Sequence, residues 1–226
     1  MRRELLTACR AMLVTAILCG LIYPLAITGI AQGVFPGSAN GSLIKRGGVV
    51  VGSKLIGQAF EAPVMKKGTA LLDKSGCPVW IVAKRYFQTR PSGTGAPYSD
   101  TGTLDNAAAS AFSNLGPNSE YSLSIYECNI SAYLALEKPY DPGLRVATIP
   151  VDAVNSSASG IDPEISVANA LIQAHRVAAL HHLSLARVDA LVHDYTTGRS
   201  LGFLGEPGVN VLELNLALDR STAGAG

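Results

Sequence analysis

The chain has 226 residues, of which 48% are hydrophobic and 15% charged, and its formal net charge is +1. That length holds one ordinary domain plus an anchor. A balance so near neutral, with no Lys/Arg cluster, excludes nucleic acid as a partner.

The first element is a membrane span. From Ala11 to Ile44 there is no charged side chain, and the most apolar part, residues 11–34, covers about 36 Å as a helix, enough to cross a bilayer. Arg2, Arg3 and Arg10 precede it, so the positive-inside rule places residues 1–10 in the cytoplasm and residues 35–226 outside it. The apolar side chains favour insertion by about 3–6 kcal/mol in all, a margin eroded by Gly20, Pro24, Gly29, Gln32 and Gly33. A span this marginal gains from a protein neighbour. Ala16, Gly20, Pro24 and Thr28 recur every four residues, and Gly29 and Gly33 repeat the spacing, which offers small faces for close helix packing. Three rival readings are weaker, the first a buried core helix, which the uninterrupted length disfavours. Gly29 and Ala31 resemble a signal-peptidase site, and Leu6 to Cys9 resembles a lipoprotein motif, but there the apolar stretch follows the cysteine instead of preceding it.

Beyond the span, Asn40-Gly41-Ser42 marks a turn and Val49 to Val51 a strand between glycines. Residues 89–106 read as a long loop. A helix is expected over 120–136, ended by Pro139 and Pro142, and Ile149 to Val151 reads as a short edge strand. Asp162-Pro163 or Ser166 starts a helix that buries Ile165, Ala168, Leu171, Ile172 and Ala179. Ser184 caps the next helix, which Gly198 ends. Leu212, Leu214, Leu216 and Leu218 alternate with other residues and predict a half-buried strand. The sum is an α+β domain behind a single N-terminal transmembrane helix.

Catalytic and metal motifs are weak. Asp73-Lys74-Ser75-Gly76 has the start of an acyl-phosphate motif, but a chain this short shows no nucleotide-binding domain beside it. Gly47 and Gly52 have P-loop spacing, yet Ser53-Lys54 reverses the required order. His175, His181 and His182 lack the i, i+4 spacing and carboxylate of a zinc site, so no metal is assigned, and no catalytic residue emerges. Of four cysteines, Cys19 falls in the membrane span and Cys9 just ahead of it; Cys77 and Cys128 are the pair free to form a disulfide in an oxidising compartment.

Several stretches resemble, in order, the C subunit of bacterial Kdp-type potassium-transporting ATPases. They include Tyr23-Pro24, Gly52 to Phe60, Tyr86 to Ser92, Ser113 to Pro117, Ser157 to Pro163, Gln173 with Arg176, Leu201 to Pro207 and Val209 to Asp219. Residues 62–84 are an insertion against the family pattern. The resemblance implies a non-catalytic accessory subunit in the inner (plasma) membrane, assembled with a channel-like potassium-binding subunit and a P-type ATPase subunit. It implies no cofactor of its own, ATP and potassium being handled by the complex, and a chaperone role that raises the ATPase subunit's affinity for ATP. Polar residues in the matched stretches are the expected subunit contacts: Ser53, Gln58, Arg90, Ser92, Ser113, Asn114, Gln173 and Arg176.

Overall fold

Pro24 sets the shape of the first element. Its missing N–H and its ring are incompatible with a regular turn below it, and the helix relaxes into a π segment at Leu18–Ile22, where the Tyr23 N–H reaches back to the Leu18 carbonyl. The helix is otherwise continuous over Arg2–Val34 (α1) and starts nine residues before the apolar run. The computed structural model describes residues 1–58, 60–63, 65–66, 69–70, 72–77, 80–91, 116 and 118–223. They form two units, Met1–Ser53 and Lys54–Gly226.

In the first unit a single turn, Pro36–Ala39 (α2), follows α1, and then an antiparallel hairpin pairs Leu43–Arg46 (β1) with Val49–Ser53 (β2). The hairpin turns at Gly47 and Gly48, with φ of +59° and +84°, values that glycine reaches without penalty. Every side chain of α1 except part of Ala31 is exposed in the isolated chain, as expected of a surface meant for lipid or another helix.

In the second unit, Glu61–Pro63 (β3) pairs with Trp80–Val82 (β6), and Met65–Lys66 (β4) with Thr69–Ala70 (β5). The segment expected as an insertion is thus built from short antiparallel pairs. Ser119 caps Glu120–Glu137 (α3). The edge strand expected at 149–151 is instead two 3₁₀ turns, Val146–Thr148 and Val151–Ala153. Pro150 fixes its own φ and carries no donor, which suits the entry of a turn better than a ladder.

The remaining elements enclose the main core. Glu164–Ser166 (β7), Gly208–Asn210 (β9) and Thr196–Thr197 (β8) form an antiparallel sheet in the order β7-β9-β8, with all of β9 buried. Around it pack Val167–His181 (α4), Leu185–Asp194 (α5) and Val211–Ala223 (α6). Phe87, Ile165, Ala174, Val177, Val188, Val192, Val209, Leu214 and Leu218 meet there. A second cluster joins Tyr133 of α3 to Leu144 and Ala153. The α+β class stands.

Three local expectations change. Residues 212–218 are helix and not strand: leucine is a good helix former, and Asn210 caps the element by accepting from the Glu213 N–H at 3.1 Å. The buried set Val211, Leu214, Asn215 and Leu218 has helical spacing once Asn215 counts as interior. The α4 stripe is also rotated. Ser166 is the N-cap, Ile165 belongs to β7, and Ala168, Leu171 and Ala179 face out, while Asn169, Gln173 and Arg176 face in. Finally, α5 ends at Asp194, and β8 stands between it and Gly198.

Gly57 is required by close approach. A Cβ there would lie 2.2 Å from the Asp162 carbonyl oxygen, and the Gly57 N–H donates to the Ile161 carbonyl at 2.7 Å.

Candidate functional site

The segment from Lys84 to Arg90, a turn over Lys84 to Tyr86 and then irregular chain, has no strand partners, so most of its backbone groups need side chains to satisfy them. Two carboxamides do so. Asn215 of α6 accepts from the Phe87 N–H at 2.9 Å and donates to the Phe87 carbonyl at 3.0 Å. Gln173 of α4 treats Gln88 in the same way, at 2.7 and 3.1 Å. Each amide imitates one rung of a β-ladder.

Arg176 completes the clamp. It is 0% exposed, and Nη1 donates to the carbonyls of Lys84 and Tyr86, Nη2 to Gln173 Oε1 at 3.1 Å. Its Nε donates to Glu137 Oε1 and Oε2 at 2.9 and 3.0 Å. Burial raises the Glu137 carboxyl above its ordinary pKa, and the Arg176 charge and hydrogen bond oppose that rise. Tyr133, raised by burial first and by Glu137 next, donates to Asn169 Oδ1 at 2.9 Å and links α3 to α4. This buried chain of groups holds the segment that ends in Arg90 in one place.

Arg90 opens onto a cleft of about 310 Å³ lined also by Asp152, Asp162, Glu164, Ser166 and Glu206. Arg90 Nη1 lies 3.3 Å from Asp162 Oδ2. Asp162 also accepts from Ser159 at 2.9 Å. Asp152 is occupied as an acceptor, from the Ser166 N–H at 2.8 Å and Asn169 Nδ2 at 3.0 Å. Asp152 and Asp162 are thus committed to structure, and the cleft's one guanidinium is partly paired. Among the described residues, no three His, Cys, Asp or Glu side chains converge to hold a metal.

The residues singled out from the sequence fall in different places. Ser53 donates to the Gly41 carbonyl at 2.6 Å and closes the hairpin base in the first unit. Gln58 Oε1 and Arg90 Nε are buried atoms without a hydrogen-bond partner among the described residues. Gln173 and Arg176, read as subunit contacts, are 1% and 0% exposed, and their donors and acceptors are spent inside the domain. Their influence on any surface passes through the segment they clamp. Ser92, Ser113 and Asn114 lie outside the described residues. In α1, a Cβ added at Gly20, Gly29 or Gly33 would meet nothing within 4 Å, so these faces are open in the isolated chain; Ala16, Pro24 and Thr28 are exposed on the same helix. Cys77 and Cys128 are joined by a disulfide that ties the segment before β6 to α3. Sequence reading missed Glu137 and Asn215. A carboxylate or amide in a stripe of apolar residues was the available signal.

The class of protein is thus one with a helix long and apolar enough to cross a membrane, followed in the chain by an α+β domain held together by a buried polar clamp. Comparison with known proteins gives the family. The profile described as "KdpC: K+-transporting ATPase, c chain" matches residues 5–220. A potassium-transporting ATPase KdpC subunit of Mycobacterium tuberculosis (strain H37Rv) is 43% identical over 221 residues, 97% of this chain and 100% of its own length. Those of Streptomyces avermitilis (40%, covering 98% and 95%) and Methylococcus capsulatus (45%, covering 92% and 93%) are similar. The chain belongs to the KdpC family, a subunit of the K+-transporting ATPase with an accessory part in potassium transport.

Proposed function

We propose that this chain is an accessory subunit that holds a channel-like potassium-binding subunit and a P-type ATPase subunit in one complex. One span, residues 11–34, anchors it in the inner membrane with residues 1–10 in the cytoplasm and residues 35–226 outside. The observation that carries this topology is the combination of Arg2, Arg3 and Arg10 ahead of the apolar helix with a disulfide behind it. Arginines are retained on the cytoplasmic side, and disulfides persist in oxidising compartments. The open small-residue faces around Gly20, Gly29 and Gly33 favour packing against a neighbouring span.

The chaperone role is indirect in this reading. ATP lies on the opposite side of the membrane from the domain, so higher ATP affinity in the ATPase subunit comes through α1 and the channel-like subunit. Binding that favours one arrangement of the complex shifts its population, and ATP affinity shifts with it. Potassium-stimulated ATP hydrolysis, measured against ATP concentration with and without this chain, tests the proposal. Omission is expected to raise the half-saturating ATP concentration or abolish turnover. Identical curves would refute it. A reporter fused after Gly226 is expected to be active only outside the cytoplasm.

A further inference from the structure

The connection from β8 to β9 carries three large apolar side chains into solvent: Leu201, Phe203 and Leu204 are 82%, 69% and 50% exposed. A floppy loop would hide them by local collapse, but this one is closed twice. Ser200 and Leu204 exchange backbone hydrogen bonds, both at 2.9 Å. Outside that bridge, Arg199 Nη2 donates to both Glu206 oxygens, at 2.9 and 2.8 Å. Leu201 sits at φ +55°, a left-handed conformation that a branched side chain rarely adopts, and Gly202 and Gly205, at +81° and +82°, flank Phe203 and Leu204. The base of the loop continues into β9, the buried central strand. The fold therefore displays an apolar tip on a rigid support.

We infer that this tip is an anchor that seats in an apolar pocket of another protein subunit of the potassium-transporting ATPase, an inference that rests on the proposed function. Area and charge select this occupant. The three side chains present on the order of 400 Å² of apolar surface. A free-standing interface needs about 800 Å² per partner, so two tips facing each other would not hold a second copy of this chain. A partner already confined to the same membrane needs less, because tethering raises its effective concentration to the millimolar range, about 1 mM. A lipid surface fits poorly, since peripheral membrane binding uses basic side chains against anionic headgroups. The loop's one cation, Arg199, is spent on Glu206. Rigid display suits a shaped pocket, because little conformational entropy is lost when the tip is buried.

The test uses the full-length chain in the assembled membrane complex. A benzoylphenylalanine photocrosslinker at position 203 is expected to join this chain to a different polypeptide of the complex. The Leu201→Ser/Phe203→Ser double variant is expected to recover about tenfold less of the other subunits on purification. Its thermal midpoint as an isolated chain is expected to stay within about 2 °C of wild type, because exposed side chains carry little stability. Crosslinks to lipid or to a second copy of this chain would overturn the inference. So would undiminished recovery by the double variant. If the wild-type chain itself recovers no other subunit, the proposed function falls and this inference with it.

Discussion

Replacing Arg176 by Met keeps most of its volume and removes its five hydrogen-bonding contacts. The Glu137 carboxylate is then left without its cation in a site where both side chains are at most 1% exposed. The Lys84 carbonyl also loses its Arg176 donor, while the Tyr86 carbonyl keeps the Gln88 side-chain amide. Breaking a buried pair by removing one partner costs about 3–5 kcal/mol. For a domain of this size that lowers the thermal midpoint by about 10 °C. Glu137→Leu leaves a buried guanidinium and falls in the same range. The Arg176→Met/Glu137→Leu double variant removes both charges, and its remaining deficit is the donor lost by the Lys84 carbonyl, about 1–3 kcal/mol. It is therefore expected to be more stable than either single variant. Acidity sharpens the test. The folded pKa of Glu137 is raised, so the stability linked to its proton is fully present below the ordinary glutamate value and is lost as pH rises through the folded value. In Arg176→Met the carboxyl titrates higher still, and the deficit is expected to narrow as pH falls. Urea unfolding of the full-length chain in detergent, followed by circular dichroism between about pH 5 and 8, measures each quantity. An Arg176→Met variant within about 1 kcal/mol of wild type, or a double variant weaker than both singles, would refute the reasoning.

The disulfide joins residues 51 apart in sequence, and by loop-closure entropy it stabilises the domain by about 4 kcal/mol. Cys128→Ser should lower the urea midpoint accordingly, and rapid maleimide labelling of Cys77 in untreated wild-type membranes would refute the pairing. Gly57→Ala drives a methyl group into the Asp162 carbonyl and is expected to cost about 2 kcal/mol or more, read as a shift in thermal midpoint. Asn215→Leu orphans the buried N–H and carbonyl of Phe87 and is expected to cost about 2–4 kcal/mol. Hydrogen exchange at the Phe87 amide should accelerate in step, and unchanged protection there would show that the side chain is not its partner.

What the amino-acid sequence determined by itself was whatever depends on neighbours along the chain. The uncharged run after Arg10 decided the membrane helix, because insertion sums side-chain transfer energies over one continuous segment. Ser184, and Ser166 as one of two candidate starts, announced helices because a cap bonds only two or three residues ahead. Val49 to Val51 between glycines announced a strand for a similarly local reason. Only the tertiary structure decided which face of α4 turns inward and whether residues 212–218 are strand or helix. Gln173 and Arg176 look like surface residues until their partners at residues 84–88 and Glu137 arrive from far along the chain. Alternating leucines satisfy a strand period and a helix propensity equally well; the choice fell to helix because Asn215 finds the Phe87 backbone, 128 residues away in sequence. A buried polar group is stable only with its partner present, and that partner is supplied by the fold.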